Sequence, residues 1–201
     1  MKRFIITLLG IAIVFATTTA FAQDVPTGLT GKGFKAGLNL ANVTGGDAPD
    51  ETSMRLGFAF GGFITYSFSD LFAVQPELFY TMKGFKYDLA GETYNFKADY
   101  IEIPVLAKVL LSGGGNFKPN FYAGPSFAFL LSAKDEDQDV KDQMKSTDFG
   151  LVGGAGADFL MGTGKITFDV RYDLGLTSTD DSGFDADVKN SAISFFVGYG
   201  F

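Results

Sequence analysis

The sequence of 201 residues contains no cysteine, no histidine and no tryptophan. The absence of cysteine excludes disulfides, thiol nucleophiles, thiolate metal ligands and a lipid anchor on a cysteine. Without histidine, the chain also lacks the commonest general base and the commonest ligand of transition metals. Basic residues are few, 16 against 23 acidic ones, and the formal net charge is −7. Such an acidic chain is a poor partner for nucleic acid, because that binding depends on neutralising phosphates.

Long apolar runs are also absent, except near the N-terminus. There, two basic residues precede an apolar stretch, and Ala20-Phe21-Ala22 forms a small-x-small cleavage pattern. This arrangement predicts a secretory signal peptide over residues 1–22, with Gln23 as the first residue of the mature chain. The alternative is a membrane anchor, but the apolar stretch is short for a spanning helix, which needs about 20 residues.

The remainder of the sequence is rich in apolar residues that are dispersed along the chain. Hydrophobic residues make up 46%, with 23 Phe and 26 Gly. Near the C-terminus, every second residue from Ile166 to Leu174 is apolar and the residues between them are polar. Such alternation is typical of β-strands. The predicted strands cover residues 33–42, 56–68, 71–83, 99–111, 118–131, 148–161, 165–176 and 191–201.

The connections between these strands are alternately short and long. Outer-membrane barrels have short turns on the periplasmic side and long loops outside. A soluble β-sandwich has the same alternation within its strands, so the connections carry more of the argument. We therefore predict an all-β fold: a closed antiparallel up-and-down transmembrane β-barrel, with eight strands over residues 33–201 and a periplasmic segment over residues 23–32. The long connections are residues 43–55, 84–98, 132–147 and 177–190.

Charged residues of both signs fall on the predicted inward face, if the face that holds Phe201 points to lipid. Because an isolated charge in a low-dielectric interior is costly, these side chains must pair, and Glu77 with Arg171 or Lys108 is a plausible pair. We interpret the set as a structural polar network that fills a narrow lumen, the alternative being a catalytic or conducting site. Its members are Lys35, Glu77, Glu102, Lys108, Asp158, Asp169, Arg171 and Asp173. The predicted inward face also includes Asn39, Gln75 and Lys83.

Three prolines, Pro76, Pro104 and Pro125, fall inside predicted strands. Proline cannot donate a hydrogen bond to a β-ladder, so we expect β-bulges at these positions. Tyrosines on the outward face are expected near the lipid headgroups, where amphipathic rings are favoured. They are Tyr66, Tyr80, Tyr172 and Tyr199.

Six segments of the chain match one known family in their order. They are Lys35–Asn42, Gln75–Tyr80, Tyr100–Val105, Tyr122–Pro125, Asp148–Gly156 and Asp169–Leu176. Together they resemble the PorT-like outer-membrane β-barrel family of Bacteroidetes. The resemblance implies an integral outer-membrane barrel with a terminal aromatic residue, here Phe201, that the barrel-assembly machinery reads. Part of that family is associated with protein secretion, but this chain shows no motif for such a role.

Catalysis is not expected from this sequence. Outer-membrane enzymes rely on His with Ser or Asp, and that combination is not available here. Asp169 and Asp173 could form a dyad, but a charge network around Arg171 is the better interpretation. The acidic loop segments 135–142 and 180–187 could attract Ca²⁺ or Mg²⁺, yet neither has the spacing of an EF-hand, so solvated charge is expected. We therefore predict no catalytic residue, no cofactor and no metal site.

The predicted function is that of an integral protein of the Gram-negative outer membrane with a structural or surface-interaction role. Its expected partners are outer-membrane lipid and lipopolysaccharide, the barrel-assembly machinery, and other envelope or host surface proteins. One alternative is a secreted carrier like a lipocalin, with apolar residues inside the barrel and polar residues outside. The other is a minor porin, which the narrow lumen of eight strands disfavours.

Overall fold

The computed structural model describes residues 27–201, except for residues 50, 90, 113 and 185. The predicted signal peptide over residues 1–22 lies outside the described residues. Among the residues described, no helix is long and apolar enough to cross a membrane. The strands are β1 (Gly28–Thr44), β2 (Thr52–Ser67), β3 (Phe72–Leu89), β4 (Glu92–Leu110), β5 (Phe117–Asp135), β6 (Gln138–Asp139), β7 (Thr147–Met161), β8 (Gly164–Gly175) and β9 (Lys189–Gly200), with one short 3₁₀ helix at Lys141–Gln143.

The eight long strands form a closed antiparallel cylinder. Each pairs with its neighbours along the chain, β5 pairs with β7, and β4 pairs with β5. The cylinder closes between the first and last strands, with pairs running from Gly33 opposite Gly200 to Thr44 opposite Lys189. The two-residue β6 pairs only with the end of β5. The predicted eight-stranded barrel is confirmed, although β1 begins at Gly28, five residues before the predicted start.

Side chains alternate between a buried interior and an exposed outer face. On β1 and β2, Phe34 is 68% exposed and Phe60 is 59% exposed, whereas the inward Lys35 is 3% exposed. The same pattern on every long strand leaves a band of Phe, Leu, Val and Tyr on the outside, as lipid contact requires. A lipocalin-like carrier would bury these apolar side chains inside the barrel, so the exposed band contradicts that alternative.

The two ends of the cylinder differ in the length of their connections. At the short-turn end, the connections are residues 68–71, 111–116 and 162–163. At the long-loop end, the connections include residues 45–51 and 176–188. The prediction of a long loop over residues 84–98 is wrong, because β3 and β4 continue as a hairpin that ends with Leu89 opposite Glu92. Beyond the lipid, a strand needs no apolar outer face, so its sequence loses the alternation used to recognise it.

The prediction of β-bulges at the three prolines is also wrong. The β2–β3 ladder skips the positions at Pro76. It has the same register on both sides of this gap, with Phe63 opposite Glu77 and Tyr66 opposite Val74.

The β4–β5 ladder skips Pro125 and keeps one register from Pro104 to Ala107. The β3–β4 ladder skips Pro104 and keeps one register from Pro76 to Phe79. Each proline therefore interrupts pairing with a neighbour, which follows from its missing N–H, without adding a residue to the strand.

Candidate functional site

The interior of the barrel holds the residues predicted as a polar network. All eight are buried in the structure, with between 3% and 6% of their surface exposed. They come from five strands, and side chains from strands that are not neighbours meet across the lumen. By strand, they are Lys35 on β1, Glu77 on β3, Glu102 and Lys108 on β4, Asp158 on β7, and Asp169, Arg171 and Asp173 on β8.

Four of these residues form one central ion-pair cluster. Lys35 Nζ lies 3.0 Å from Glu77 Oε1 and 2.8 Å from Asp169 Oδ2. Arg171 Nη1 lies 2.8 Å from the other carboxylate oxygen of Glu77. The neutral Gln75 donates from Nε2 to Glu77 Oε1 over 2.6 Å. Glu77 therefore compensates two cations, and Lys35 compensates two carboxylates.

Of the two pairs expected from the sequence, Glu77 with Arg171 or with Lys108, the structure has the Glu77–Arg171 pair. The expected grouping of Asp169 and Asp173 around Arg171 is not found within the described part of the chain. Arg171 pairs with Glu77 on β3, while Asp169 pairs with Lys35. Side chains two residues apart on one strand project in parallel at a separation of about 7 Å, so they do not converge on each other. In a narrow cylinder, side chains from distant strands meet more closely than neighbours on one strand.

The remaining surface of the Arg171 guanidinium lies against aromatic rings. Its Cζ is 4.6 Å from the ring centroid of Phe196, 5.4 Å from that of Phe79 and 5.6 Å from that of Tyr122. Among the described residues, its Nε and Nη2 have no hydrogen-bond partner. Cation–π attraction thus replaces hydrogen bonds on this side of Arg171.

A second ion pair lies nearer the long-loop end. Lys83 Nζ is 3.0 Å from Glu102 Oε2, and both side chains are buried. Asp173 accepts a hydrogen bond of 3.4 Å from Ser194 Oγ. Lys83 was predicted on the inward face from the alternation of β3, and it is buried in the structure, with 5% of its surface exposed.

The short-turn end of the lumen opens into a cavity of about 530 Å³. Lys165 Nζ and Asp158 Oδ2 are paired over 2.5 Å at its wall. Lys108 lines the same cavity, and its Nζ donates to Gln75 Oε1 over 3.2 Å. Lys108 is therefore linked to Glu77 only through Gln75. Lys165 stands at the very start of β8, one residue before the outward Ile166, so the alternation of this strand places it on the inward face.

The middle of the lumen is packed. The space beside Phe79, Glu102, Arg171 and Phe196 is about 10 Å³, which is at or below the room that one water molecule needs. Nearer the long-loop end, the inward Tyr100 belongs to an apolar cluster that also includes Val140 and Met144 from the connection after β5. Apolar side chains thus cover the lumen above the ion pairs.

The chemistry available in this interior is limited. Within the part of the chain that the structure describes, no three acidic side chains come close enough to hold a metal ion. The central carboxylates of Glu77 and Asp169 are engaged by Lys35 and Arg171, and Glu102 is engaged by Lys83. The arrangement is suited to holding opposite walls of the cylinder together.

The comparisons with known proteins agree with this architecture. The family model described as "Outer membrane protein beta-barrel domain" matches residues 21–181. The sequence matches none of the curated proteins. The structure resembles OprG of Pseudomonas aeruginosa, with 12% identity over 87% of this chain and 96% of that chain and a TM-score of 0.52.

The structure also resembles Neisserial surface protein A, with 17% identity over 84% of this chain and 95% of that chain and a TM-score of 0.53. At these identities, the two likenesses show the fold alone. The outer membrane enzyme PagL matches with 15% identity over 83% of this chain and 97% of that chain. Its TM-score of 0.47 is too low to carry an argument about catalysis.

Proposed function

The chain belongs to the outer membrane protein β-barrel domain family and is an eight-stranded barrel of the Gram-negative outer membrane; from this premise we propose that it is a closed, non-conducting barrel with a structural and surface-interaction role. The observation that carries the proposal is the packed lumen. Its central space of about 10 Å³ lies beside Arg171 and Glu102. The ion pairs and the apolar cluster around Tyr100 close it further.

The proposed role of the interior charges is to stabilise the cylinder. Ion pairs that join β1, β3 and β8 hold strands together that share no backbone ladder. A buried charge left without its partner destabilises a fold strongly, so each pair also favours one arrangement of the strands over its alternatives. We propose no catalytic role for this network, because its central carboxylates are engaged by cations and the chain contains no histidine.

The surface role is assigned to the long-loop end. In this proposal, that end faces the outside of the cell, as in other outer-membrane barrels. The loop that follows β1 and the loop that precedes β9 are hydrogen-bonded to each other at this end. Asp187 N donates to Asp47 Oδ2 over 2.8 Å, and Gly46 N donates to Asp187 Oδ2 over 3.3 Å. This ordered surface would meet lipopolysaccharide, other envelope proteins or host surface molecules.

The export route is part of the proposal. Residues 1–22 would act as the signal peptide. The predicted periplasmic segment 23–32 is too long, because β1 begins at Gly28, so only residues 23–27 would precede the barrel on the periplasmic side. The barrel-assembly machinery would recognise the terminal Phe201. We also propose the closer kinship with the PorT-like barrels, which the six ordered sequence segments support.

The experiment that tests the proposal is conductance. The purified, folded protein is reconstituted into planar bilayers, with flotation of matching vesicles as the check for insertion. We expect no stepwise current from inserted protein. A minor porin would give reproducible steps, and that result would overturn the closed-barrel proposal while leaving the outer-membrane location intact.

A further inference from the structure

Three lysines stand together on the outer face of the barrel at the long-loop end. They are Lys86 on β3, Lys97 on β4 and Lys134 on β5, here called the basic patch. Their neighbours in sequence show which way they point. Phe96 packs with the apolar cluster in the lumen, and Asp135 accepts a hydrogen bond of 2.9 Å from Tyr87. The alternation of side chains then directs the three lysines outward.

The basic patch begins where the apolar band ends. On β5, the outward row runs from Phe121, which is 56% exposed, to Leu131, which is 46% exposed. At about 3.3 Å per residue and a tilt of about 40°, these ten steps rise about 25 Å, the usual height of the apolar band of an outer-membrane barrel. Lys134 lies three residues beyond Leu131, at the level of the lipid headgroups.

Two members of the patch are direct cross-strand neighbours. Lys97 is opposite Lys134 in the β4–β5 ladder. Lys97 is also opposite Gly84, which places Lys86 diagonally next to it on β3. Like charges directly opposite each other destabilise a sheet unless something compensates them. Among the described residues, no carboxylate oxygen lies within 4.0 Å of these three ammonium groups.

Two acidic side chains stand next to the basic patch and have other hydrogen-bond partners. Asp139 is opposite Lys134 in the β5–β6 ladder and accepts from Lys141 N over 3.0 Å. Asp88 is two residues from Lys86 and accepts from Thr93 Oγ1 over 2.6 Å.

Lys97 Nζ donates to the backbone carbonyl of Glu136 over 3.4 Å. The Glu136 carboxylate is engaged by the backbone and side-chain amides of Asn95, which hold its pKa below the ordinary value, and Lys97 contributes less. Asp99 shares the outward row of β4 with Lys97, but it is opposite Ser132 and forms no ion pair with the patch.

We propose that the basic patch binds the phosphate groups of the glycolipid in the outer leaflet. The inference rests on the proposed function, since it requires the long-loop end to face outside. Three neighbouring cations at the level of the headgroups, none of them in an ion pair among the described residues, offer a site for an anion. In this layer the lipid phosphate groups are anions held at a fixed height. Lipid phosphates would also relieve the repulsion between Lys97 and Lys134.

The test uses purified, folded protein in neutral detergent and two probes, bis-phosphorylated lipid A and the same lipid after phosphatase treatment. Binding is titrated by native mass spectrometry. The variant Lys97→Gln/Lys134→Gln removes the directly opposed pair. The matched control, Lys141→Gln/Lys145→Gln, removes the same charge from exposed residues of a loop at the same end.

We expect the wild type and the control to prefer the phosphorylated lipid. Each basic side chain near an anionic headgroup contributes enough that losing two should weaken binding roughly 30-fold. Binding of the dephosphorylated lipid should not change. Heat-modifiable gel mobility checks folding; if the double variant fails to fold, Lys134→Gln should still weaken binding about 5-fold.

Two results would overturn the inference. One is a wild type that binds both lipids equally, and the other is a patch variant that binds phosphorylated lipid A as tightly as the control does. If the protein fractionates with the outer membrane, either result refutes only the proposal that the basic patch binds lipid phosphate. Recovery of the protein from the soluble periplasm would instead refute the proposed function.

Discussion

Replacing Glu77 by glutamine should destabilise the barrel more than removing its cationic partner Arg171. Glu77 lies between Lys35 and Arg171, at 3.0 Å and 2.8 Å. After Glu77→Gln, Lys35 still has Asp169 at 2.8 Å. Arg171 would keep no carboxylate within 4.0 Å among the described residues, although it is only 4% exposed.

The magnitude follows from that difference. A buried charge that loses its partner costs about 3–5 kcal/mol of unfolding free energy, and the aromatic rings around Arg171 place the expected value near the lower limit. Arg171→Leu instead leaves Glu77 with Lys35 and the amide of Gln75. It removes one close contact between charged groups and does not deprive a buried cation of its partner, so the expected loss is smaller, about 1.5–2 kcal/mol. The double variant leaves no unpaired cation and should be more stable than Glu77→Gln alone.

Urea unfolding of the purified barrels in micelles measures these differences, with heat-modifiable gel mobility as a second readout. The control is Asp137→Asn, because Asp137 is an exposed loop residue and its replacement should leave stability unchanged. The reasoning is refuted if Glu77→Gln is no less stable than Arg171→Leu. It is equally refuted if the double variant loses the full sum of both single effects.

Three further outcomes are expected. The mature protein should begin at Gln23 and require detergent for extraction from the outer membrane, and N-terminal sequencing with fractionation checks both points. Because the chain has no native cysteine, a cysteine in place of Asp137 should react with an impermeant maleimide on intact cells, whereas one in place of Thr163 should not; the reverse pattern would invert the topology. Hydrogen bonds from Ser182 hold the pKa of Asp180 below its ordinary 3.8. These hydrogen bonds should therefore keep the loop ordered above pH 3.8, and the loop should lose this order only as the pH falls through the lowered pKa of Asp180. NMR titration of the Asp180 carboxyl carbon measures that pKa. A midpoint above 3.8 would contradict the hydrogen-bonded loop.

The alternation of side chains made most of the barrel predictable. In β8 and β9, lipid on one side and a polar lumen on the other force a period of two, so these strands were predicted to within two residues of their ends. The hairpin that joins β3 and β4 was missed because its distal part stands outside the lipid. There, Lys86 and Lys97 occupy outward positions that would be apolar within the membrane.

The sequence by itself determined which side chains face the lumen, because direction along a strand depends only on position in the alternation. It also indicated closure, through eight strands and their connections. Only the tertiary structure decided that Glu77 meets both Lys35 and Arg171, and that Lys97 stands opposite Lys134. The physical reason is register: the stagger of neighbouring strands sets the height of every side chain, and it depends on the whole cylinder and not on any single segment.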